Sequence, residues 1–146
     1  MIDEKELQIK EFRGIGYLPL IDYCTWRVAY LRYIDELIPR NIKRVERHRE
    51  TDEVFVLLEG QALLFMGTGD EQVEELTPMV MEPCKLFNVR KNAWHCCVLS
   101  HDATILLVEN RDTGLVNTDY CALDDDLCQV IIDAAFREQP GEWENT

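Results

Sequence analysis

Short stretches in which apolar side chains alternate with polar ones, or crowd together, follow one another along most of the chain. The clearest are residues 25–33, 53–59, 61–66, 94–99 and 104–109, which are rich in β-branched, aromatic and other apolar side chains. Turn-forming residues separate them, among them the glycine that follows residue 59 and the stretch GTGD. Many short strands with frequent turns predict an all-β sandwich or barrel.

Weaker patterns extend this prediction toward both ends of the chain. Leu7 to Phe12 alternates in a way that favours an edge strand, and Tyr17 to Ile21 favours a short strand. Residues 72–76 and 85–89 predict two further strands, the first of them more polar. Residues 111–123, RDTGLVNTDYCAL, show no period, and we expect them to wrap irregularly around the barrel.

One helix is predicted after the strands. Asp126 and Gln129 have the spacing of a capping box and precede an apolar stripe with helical period. The pattern predicts a helix from about Leu127 to Glu138, ended by Pro140 and Gly141. The apolar stripe indicates that this helix covers the core or forms a dimer contact.

Length and charge limit the possible classes of protein. With 146 residues, the chain has the length of one domain, residues 1–146, with its barrel between about 25 and 110. Its formal net charge is −13, which argues against nucleic acid or an anionic membrane surface as the main partner. No apolar stretch approaches the length of a membrane span.

The cysteines indicate a reducing environment. The six stand at positions 24, 84, 96, 97, 121 and 128, without a CxxC pair or a regular framework. The first residues, MIDEKELQIKEF, are charged and lack the apolar core of a secretion signal. We therefore expect free thiols and a cytoplasmic protein.

Candidate metal ligands cluster in the stretch VERHRETDEVFVLLEG, residues 45–60. Glu46 and His48 are two residues apart, so they point to the same face of an extended chain. Glu53 opens the apolar run and joins them if the loop between folds back. Far downstream, His95 precedes another strand-like run, CCVL. Two imidazoles and one or two carboxylates suit a divalent first-row metal, so manganese, iron or zinc is expected.

This spacing resembles the first motif of the cupin family, which has two histidines one residue apart, then a glutamate, six residues and a glycine. His48 and Glu53 stand at the positions of the second histidine and the glutamate, and Gly60 matches the glycine. Glu46 takes the place of the first histidine, which is a departure from the family pattern.

The second cupin motif, Pro-x-Gly-x-x-His, corresponds to RKNAWH at residues 90–95. His95 is kept, whereas Arg90 and Asn92 replace the proline and the glycine, and Leu99 stands where an asparagine is common. Asparagine accepts a positive φ more readily than most residues, so the turn can survive. The resemblance implies a jelly-roll-type double-stranded β-helix barrel that holds a metal inside, with the predicted helix at its C-terminal end.

Glu46 has two candidate roles beside the implied ligands His48, Glu53 and His95. As a fourth ligand it would complete a two-histidine, two-carboxylate site. As a non-ligand it would leave a facial triad with more room for substrate, and it could move a proton as a catalytic residue. A barrel that has lost its first histidine could also have stopped binding metal.

The surroundings of this centre are less well defined by the sequence. Cys97 alternates in phase with His95 and is a candidate pocket wall, as are Tyr30, Arg32, Phe55 and Phe65. Residues 39–49 form a basic island in an acidic chain. Its charges either pair with nearby carboxylates in a solvated loop or form a rim that attracts an anionic substrate.

Two classes of function fit these features. The cupin resemblance implies a metal-dependent isomerase, epimerase, lyase or dioxygenase that acts on a small polar metabolite, often a sugar or sugar acid. The alternative is a non-catalytic barrel that binds or senses a small molecule. Exposed edges at residues 7–12 and 17–21 invite pairing with another chain, and cupins commonly dimerise through swapped N-terminal strands, so we expect a homodimer.

Overall fold

The computed structural model describes all residues from Met1 to Thr146 and contains ten strands and one α-helix. The helix is α1 (Asp125–Glu138), and a 3-10 turn lies at Asp35–Leu37. No helix of this protein is both long enough and apolar enough to cross a membrane. The strands are β1 (Tyr17–Tyr23), β2 (Trp26–Arg32), β3 (Arg44–His48), β4 (Glu53–Glu59), β5 (Ala62–Thr68), β6 (Glu75–Val80), β7 (Phe87–Val89), β8 (Trp94–Leu99), β9 (Thr104–Asn110) and β10 (Thr118–Ala122).

The strands form two five-stranded sheets, in the orders β1-β2-β9-β4-β7 and β10-β3-β8-β5-β6. All neighbouring strands are antiparallel. From β3 onward the chain crosses repeatedly between the sheets, which is the winding of a jelly roll. The predicted all-β cupin-type barrel with a C-terminal helix is therefore confirmed.

The main apolar core fills the space between the two sheets. Strand β4 contributes Phe55 and Leu57, and β9 contributes Ile105 and Leu107, all buried and spaced by two along their strands. Glu53 stands two residues before Phe55, and Glu109 two residues after Leu107, so both carboxylates continue these inward-facing rows. Both are buried, and each replaces an apolar side chain at one end of the barrel interior.

A second apolar core lies between the outer face of the second sheet and α1. Ile131 and Ala135 of the helix are fully buried there, in one cluster with Phe65 of β5 and Val98 of β8. The helix therefore covers the barrel, which is one of the two roles that its apolar stripe predicted.

Three local predictions are wrong. Leu7 to Phe12 forms no strand and has no strand partner within the chain, because the first sheet ends at β1. The segment predicted as irregular contains β10, since residues 118–122 pair with β3, a contact that local sequence does not show. The helix is capped by Asp124, whose carboxylate accepts from the amide of Leu127 at 2.8 Å, so Asp126 lies in the first turn instead.

Two turns with positive φ adjoin β4 and β8, the strands that carry Glu53 and His95. Gly60 joins β4 to β5 with a φ of 73°, and Asn92 has a φ of 67° in the turn before β8. The amide of Asn92 donates to the carbonyl of His48 at 2.7 Å, which ties this turn to the end of β3. As expected, asparagine takes the place of the motif glycine without loss of the turn.

Candidate metal centre

Strand β3 presents Glu46 and His48 to the barrel interior. The two residues are spaced by two and so share a face of the strand. On the neighbouring strand β10, Tyr120 is the register partner of Glu46, and Thr118 is the partner of His48. The inner face of the second sheet therefore carries a polar row at this end of the barrel.

His95 and Glu53 complete the group from two other strands. His95 of β8 is the register partner of Glu46, so it lies beside β3 in the same sheet. Glu53 approaches from the first residue of β4, in the opposite sheet. The tight loop of residues 49–52 between β3 and β4 carries the chain across the barrel, as the sequence spacing required.

Glu53 lies between the two imidazoles. Its Oε2 is 2.9 Å from Nε2 of His48 and 3.1 Å from Nε2 of His95. Oε1 of Glu46 lies 3.9 Å from the first of these nitrogens and 3.8 Å from the second. One donor atom from each of the four residues thus lies within 4.8 Å of the others, so the structure brings all four predicted residues together.

Hydrogen bonds on the far side of each ring orient the two imidazoles. Nδ1 of His48 is 2.9 Å from Oγ1 of Thr118, and Nδ1 of His95 donates to the carbonyl of Ala93 at 3.0 Å. A carbonyl oxygen only accepts, so Nδ1 of His95 carries a proton and the neutral ring offers its Nε2 lone pair to the centre. Such outer partners are typical of histidines that bind metals.

The spacing of the donor atoms suits a first-row metal ion. Two adjacent ligands of an octahedral ion with bonds of about 2.1 Å lie about 3.0 Å apart. The separations of Glu53 from His48 and His95, 2.9 and 3.1 Å, are close to this value. These three residues, with Glu46 slightly further out, could therefore hold a divalent transition metal.

The charges of the cluster favour a cation. Burial alone would raise the pKa of Glu53, but hydrogen bonds and charge attraction from both histidines outweigh burial and lower this pKa to about 2. Burial alone would lower the pKa of His48 and of His95, but Glu53 outweighs it and raises both. Glu53 is therefore an ionised carboxylate that attracts positive charge, whether protons on the imidazoles or a metal ion.

Glu46 is the most accessible member of the cluster, with 39% of its side chain exposed. Arg47 and Arg49 are close to Glu46 in sequence, but Glu46 forms no ion pair with either of them. Arg47 and Arg49 both contact the carboxylate of Asp119 on β10 instead, at 3.0 and 3.5 Å. Glu46 is therefore left free for a ligand, as a metal donor or as a group that moves a proton.

A second buried carboxylate, which the sequence analysis missed, lies beside this cluster. Oε1 of Glu109 accepts from the hydroxyl of Tyr17 at 2.8 Å and from Nε and Nη2 of Arg27 at 3.1 and 2.8 Å. Its other oxygen, Oε2, lies 4.0 Å from Nε2 of His48. Burial and the charge of Glu53 raise the pKa of Glu109, opposed by Arg27 and Tyr17. A lone glutamate inside the apolar run TILLVEN was the only sequence signal for it.

The centre lines a cavity of about 650 Å³ inside the barrel mouth. Of the predicted walls, Phe55 and Cys97 line it, whereas Tyr30, Arg32 and Phe65 do not. Phe65 lies on the opposite face of β5, under α1, because the strand alternates. The lining of the cavity also includes Leu31 and Leu107, which were not predicted from the sequence as walls.

The thiols near the centre are structural. All six cysteines are free. Burial raises the pKa of Cys97 well above its ordinary value, which keeps the thiol neutral and unsuited to nucleophilic attack. Cys97 therefore acts as a wall of the cavity, in agreement with its predicted position.

The basic island at residues 39–49 divides into three parts. Arg40 lies outside the cavity, over the ring of Phe136. Arg47 and Arg49 are neutralised by Asp119, which is the expected pairing, although Arg47 belongs to strand β3 and not to a loop. Lys43 and Arg44, in contrast, line the cavity and have no such partner.

Comparisons with known proteins establish the fold. No family model matches the sequence, and no curated protein matches it significantly. Among solved structures, the capsular polysaccharide assembling protein CapF from Staphylococcus aureus shares 12% identity with a TM-score of 0.55, covering 84% of this chain and 34% of CapF. A protein from Planctomyces limnophilus shares 13% identity with a TM-score of 0.51, covering 80% of this chain and 98% of that one. A cupin-2 domain containing protein from Shewanella frigidimarina shares 16% identity with a TM-score of 0.48, covering 68% of this chain and 85% of that one.

The two sheets, the covering helix and the interior histidine and glutamate cluster define a domain of the cupin fold. More particularly, the chain has the fold of a small cupin barrel, with Glu46 where the motif has its first histidine. At these identities the likeness concerns the fold, and cupin folds support many chemistries.

Proposed function

We propose that this protein is a metal-dependent enzyme that acts on a small polar metabolite, such as a sugar or sugar acid, by isomerase, epimerase or lyase chemistry. The observation that carries the proposal is that four potential metal ligands line one cavity of about 650 Å³. Small-molecule sites typically measure about 300 to 1,000 Å³, so this cavity has room for one metabolite beside the centre.

His48, Glu53 and His95 would hold a divalent ion of manganese, iron or zinc through the atoms that now face one another. When bound, such an ion supplies a Lewis acid that polarises a carbonyl or hydroxyl oxygen. The oxygen and imidazole donors suit these metals better than calcium, which prefers oxygen ligands alone.

Side chains around the centre supply the remaining functions. Glu46 is partly exposed and forms no ion pair with an arginine or lysine, so one of its carboxylate oxygens is available to accept a proton from bound substrate. Glu109 is held through Oε1 by Tyr17 and Arg27, which leaves Oε2 available to accept from a substrate hydroxyl. The apolar walls, including Phe55, limit the access of water to this end of the cavity.

Metal analysis tests the first part of the proposal. Protein purified without a metal-chelating resin should contain about one transition metal per chain, and His48→Ala combined with His95→Ala should remove nearly all of it. His101→Ala is the matched control, because this third histidine lies outside the cavity and pairs with Glu142. Stoichiometric metal in the double variant would overturn the metal site.

The barrel should remain folded in the double variant, because its apolar core does not include the metal ligands. Near-ultraviolet circular dichroism checks this point. Screening the metal-loaded protein against sugars and sugar acids, first for thermal stabilisation and then for turnover, tests the second part. Binding without turnover of any stabilising compound would favour the non-catalytic binding or sensing module, and oxygen consumption would favour a dioxygenase.

A further inference from the structure

Lys43 and Arg44, which we call the cationic rim, lie where the cavity opens to solvent. Both residues line the cavity and both are exposed. They stand at the start of β3, the strand that carries Glu46 and His48. The rim and the metal centre are therefore parts of one continuous surface.

The register of β3 places Arg44 in line with the centre. Arg44, Glu46 and His48 are spaced by two, so they share the inner face of the strand. Successive residues on one face of a strand are about 7 Å apart, which puts the backbone of Arg44 about 7 Å beyond Glu46 and about 13 Å beyond His48.

The charges of the rim are unused within the chain. Every arginine except Arg40 and Arg44 has a carboxylate oxygen within 4.0 Å. Lys43 has none within this distance either. Only Arg44 of these two arginines lines the cavity. In a chain with 28 acidic residues, the rim therefore places two cations without a carboxylate partner beside one another on the cavity wall.

Tyr120 holds the guanidinium of Arg44 in place. Cζ of Arg44 lies over the ring of Tyr120, 3.9 Å from its centroid. Stacking on an aromatic face leaves the N–H donors at the edge of the guanidinium free, and this planar fork matches an oxyanion. Glu36 also lines the cavity, and it forms no ion pair with the rim.

We propose that the cationic rim is a binding subsite for an oxyanion, a phosphate or a carboxylate, carried by the substrate at the end away from the atoms that meet the metal. The claim about the substrate rests on the proposed function. Binding of an oxyanion at the rim rests only on the unpaired charges of Lys43 and Arg44 and on the contact of Arg44 with the ring of Tyr120.

The test uses the full chain with the His48→Ala and His95→Ala changes, so that no metal competes for the anion. Isotope-labelled protein is titrated with inorganic phosphate and, separately, with acetate, while backbone amide and arginine Nε–H signals are followed by NMR. We expect saturable shifts at residues 43, 44 and 120. The anion that saturates at the lower concentration identifies which oxyanion the rim prefers.

Arg44→Gln in the same background should weaken anion binding at least about fivefold, since a charge-assisted contact is lost. Arg40→Gln is the matched control, because Arg40 is also unpaired and also stacks on an aromatic ring, that of Phe136, but lies outside the cavity. It should leave the titration unchanged. Absence of saturable shifts at the rim, or equal effects of the two variants, would overturn the subsite.

Metal content separates this proposal from the proposed function. Arg44→Gln in the otherwise wild-type chain should keep its full metal content, because Arg44 does not contact the four ligands. Anion binding at the rim in a protein that never binds metal would support the subsite and defeat the enzyme proposal. Full metal content without anion binding at the rim would support the metal site and overturn the subsite.

Discussion

At the scale of single residues, Glu53 organises the centre. It is buried, it opens a regular strand, and its Oε2 contacts both imidazoles. Glu46 contacts the same nitrogens only at 3.8 and 3.9 Å and remains partly exposed. Two carboxylates that are similar in sequence therefore have different environments, and we expect different roles for them.

Glu53→Gln should weaken metal binding more than Glu46→Gln does. A metal site tolerates little error in donor position, and the position of Glu53 is fixed by strand β4. We expect a loss of at least about 100-fold in affinity for Glu53→Gln and less than about tenfold for Glu46→Gln. Glu46→Gln should instead reduce turnover, since an amide does not accept a proton as a carboxylate does.

Isothermal titration with manganese or zinc measures both affinities. Glu46→His restores the residue of the cupin motif and should retain or tighten metal binding, which makes it the matched control for position 46. An empty site in Glu46→Gln alone would show that Glu46 is a full ligand and that the ranking is wrong.

The pKa shifts of Glu53, His48 and His95 predict how the stability of the metal-free protein depends on pH. The lowered pKa of Glu53 contributes stability above its ordinary value of 4.5, and this stability is lost as the pH falls toward about 2. The raised pKa values of His48 and His95 contribute stability that is complete below 6.5 and lost as the pH rises through the raised values. The cluster should therefore stabilise the metal-free protein most between about pH 4.5 and 6.5.

Metal should reverse this dependence, because it binds deprotonated imidazole and so gains affinity as the pH rises. Melting temperatures measured from pH 5 to 8, with chelator and with saturating metal, give the two curves. The His48→Ala, His95→Ala variant supplies the baseline for all other groups. A chelated wild-type protein whose stability advantage over this baseline grows from pH 6 to pH 8 would contradict the prediction.

At the scale of elements, the turns decide where the ligands stand. The turn at Gly60 ends β4, whose first residue is Glu53, and packs directly on the β8–β9 turn. A Cβ built at Gly60 would lie 2.6 Å from Cα and 2.7 Å from the amide nitrogen of Ala103. Both are backbone atoms, which a side-chain rotation cannot relieve.

Gly60→Ala should therefore lower the free energy of unfolding by about 3 kcal/mol, through positive φ and a backbone clash together. Gly141→Ala is the matched control, since Gly141 has a φ of 83° but no atom within 4 Å of an added Cβ. It should cost only about 1 kcal/mol, from φ alone. Urea denaturation of both variants measures the difference, and equal costs would show that the approach of Ala103 has no effect.

At the scale of the whole molecule, the barrel is closed by its own core and by α1, but the N-terminal segment is not covered. Ile2 and Ile9 are 64% and 85% exposed, and residues 7–12 have no strand partner in the chain. A segment with exposed apolar side chains and no strand partner in its own chain favours pairing with a sheet edge of another copy.

We therefore expect a homodimer that deletion of residues 1–12 weakens at least about tenfold, since main-chain pairing and apolar contact would both be lost. Multi-angle light scattering over a range of concentrations measures the dimer. Leu115→Glu is the control for an exposed apolar residue elsewhere, as Leu115 is 82% exposed beside the cavity. A wild-type monomer at high micromolar concentration would contradict the prediction.

Much of the fold was readable from the chain because strands have a local signature. Residues 53–59 and 94–99 alternate or crowd apolar side chains, and both strands were predicted with their observed bounds. Residues 118–122 were not predicted, because β10 has mixed polarity and gains its strand conformation from pairing with β3. Its absence from the sequence prediction also hid Thr118, which orients His48.

By itself the sequence determined that Glu46, His48 and Glu53 are near one another and that His95 lies near the start of a strand, since both features depend on local spacing. Only the tertiary structure decided that Glu109, Arg27 and Tyr17 join this centre. They come from strands separated by 82 and 92 residues in sequence, and the register of the sheets alone sets their distances. Local periodicity tells which face of a strand a side chain takes, whereas its neighbours across the barrel depend on how the two sheets pair and pack.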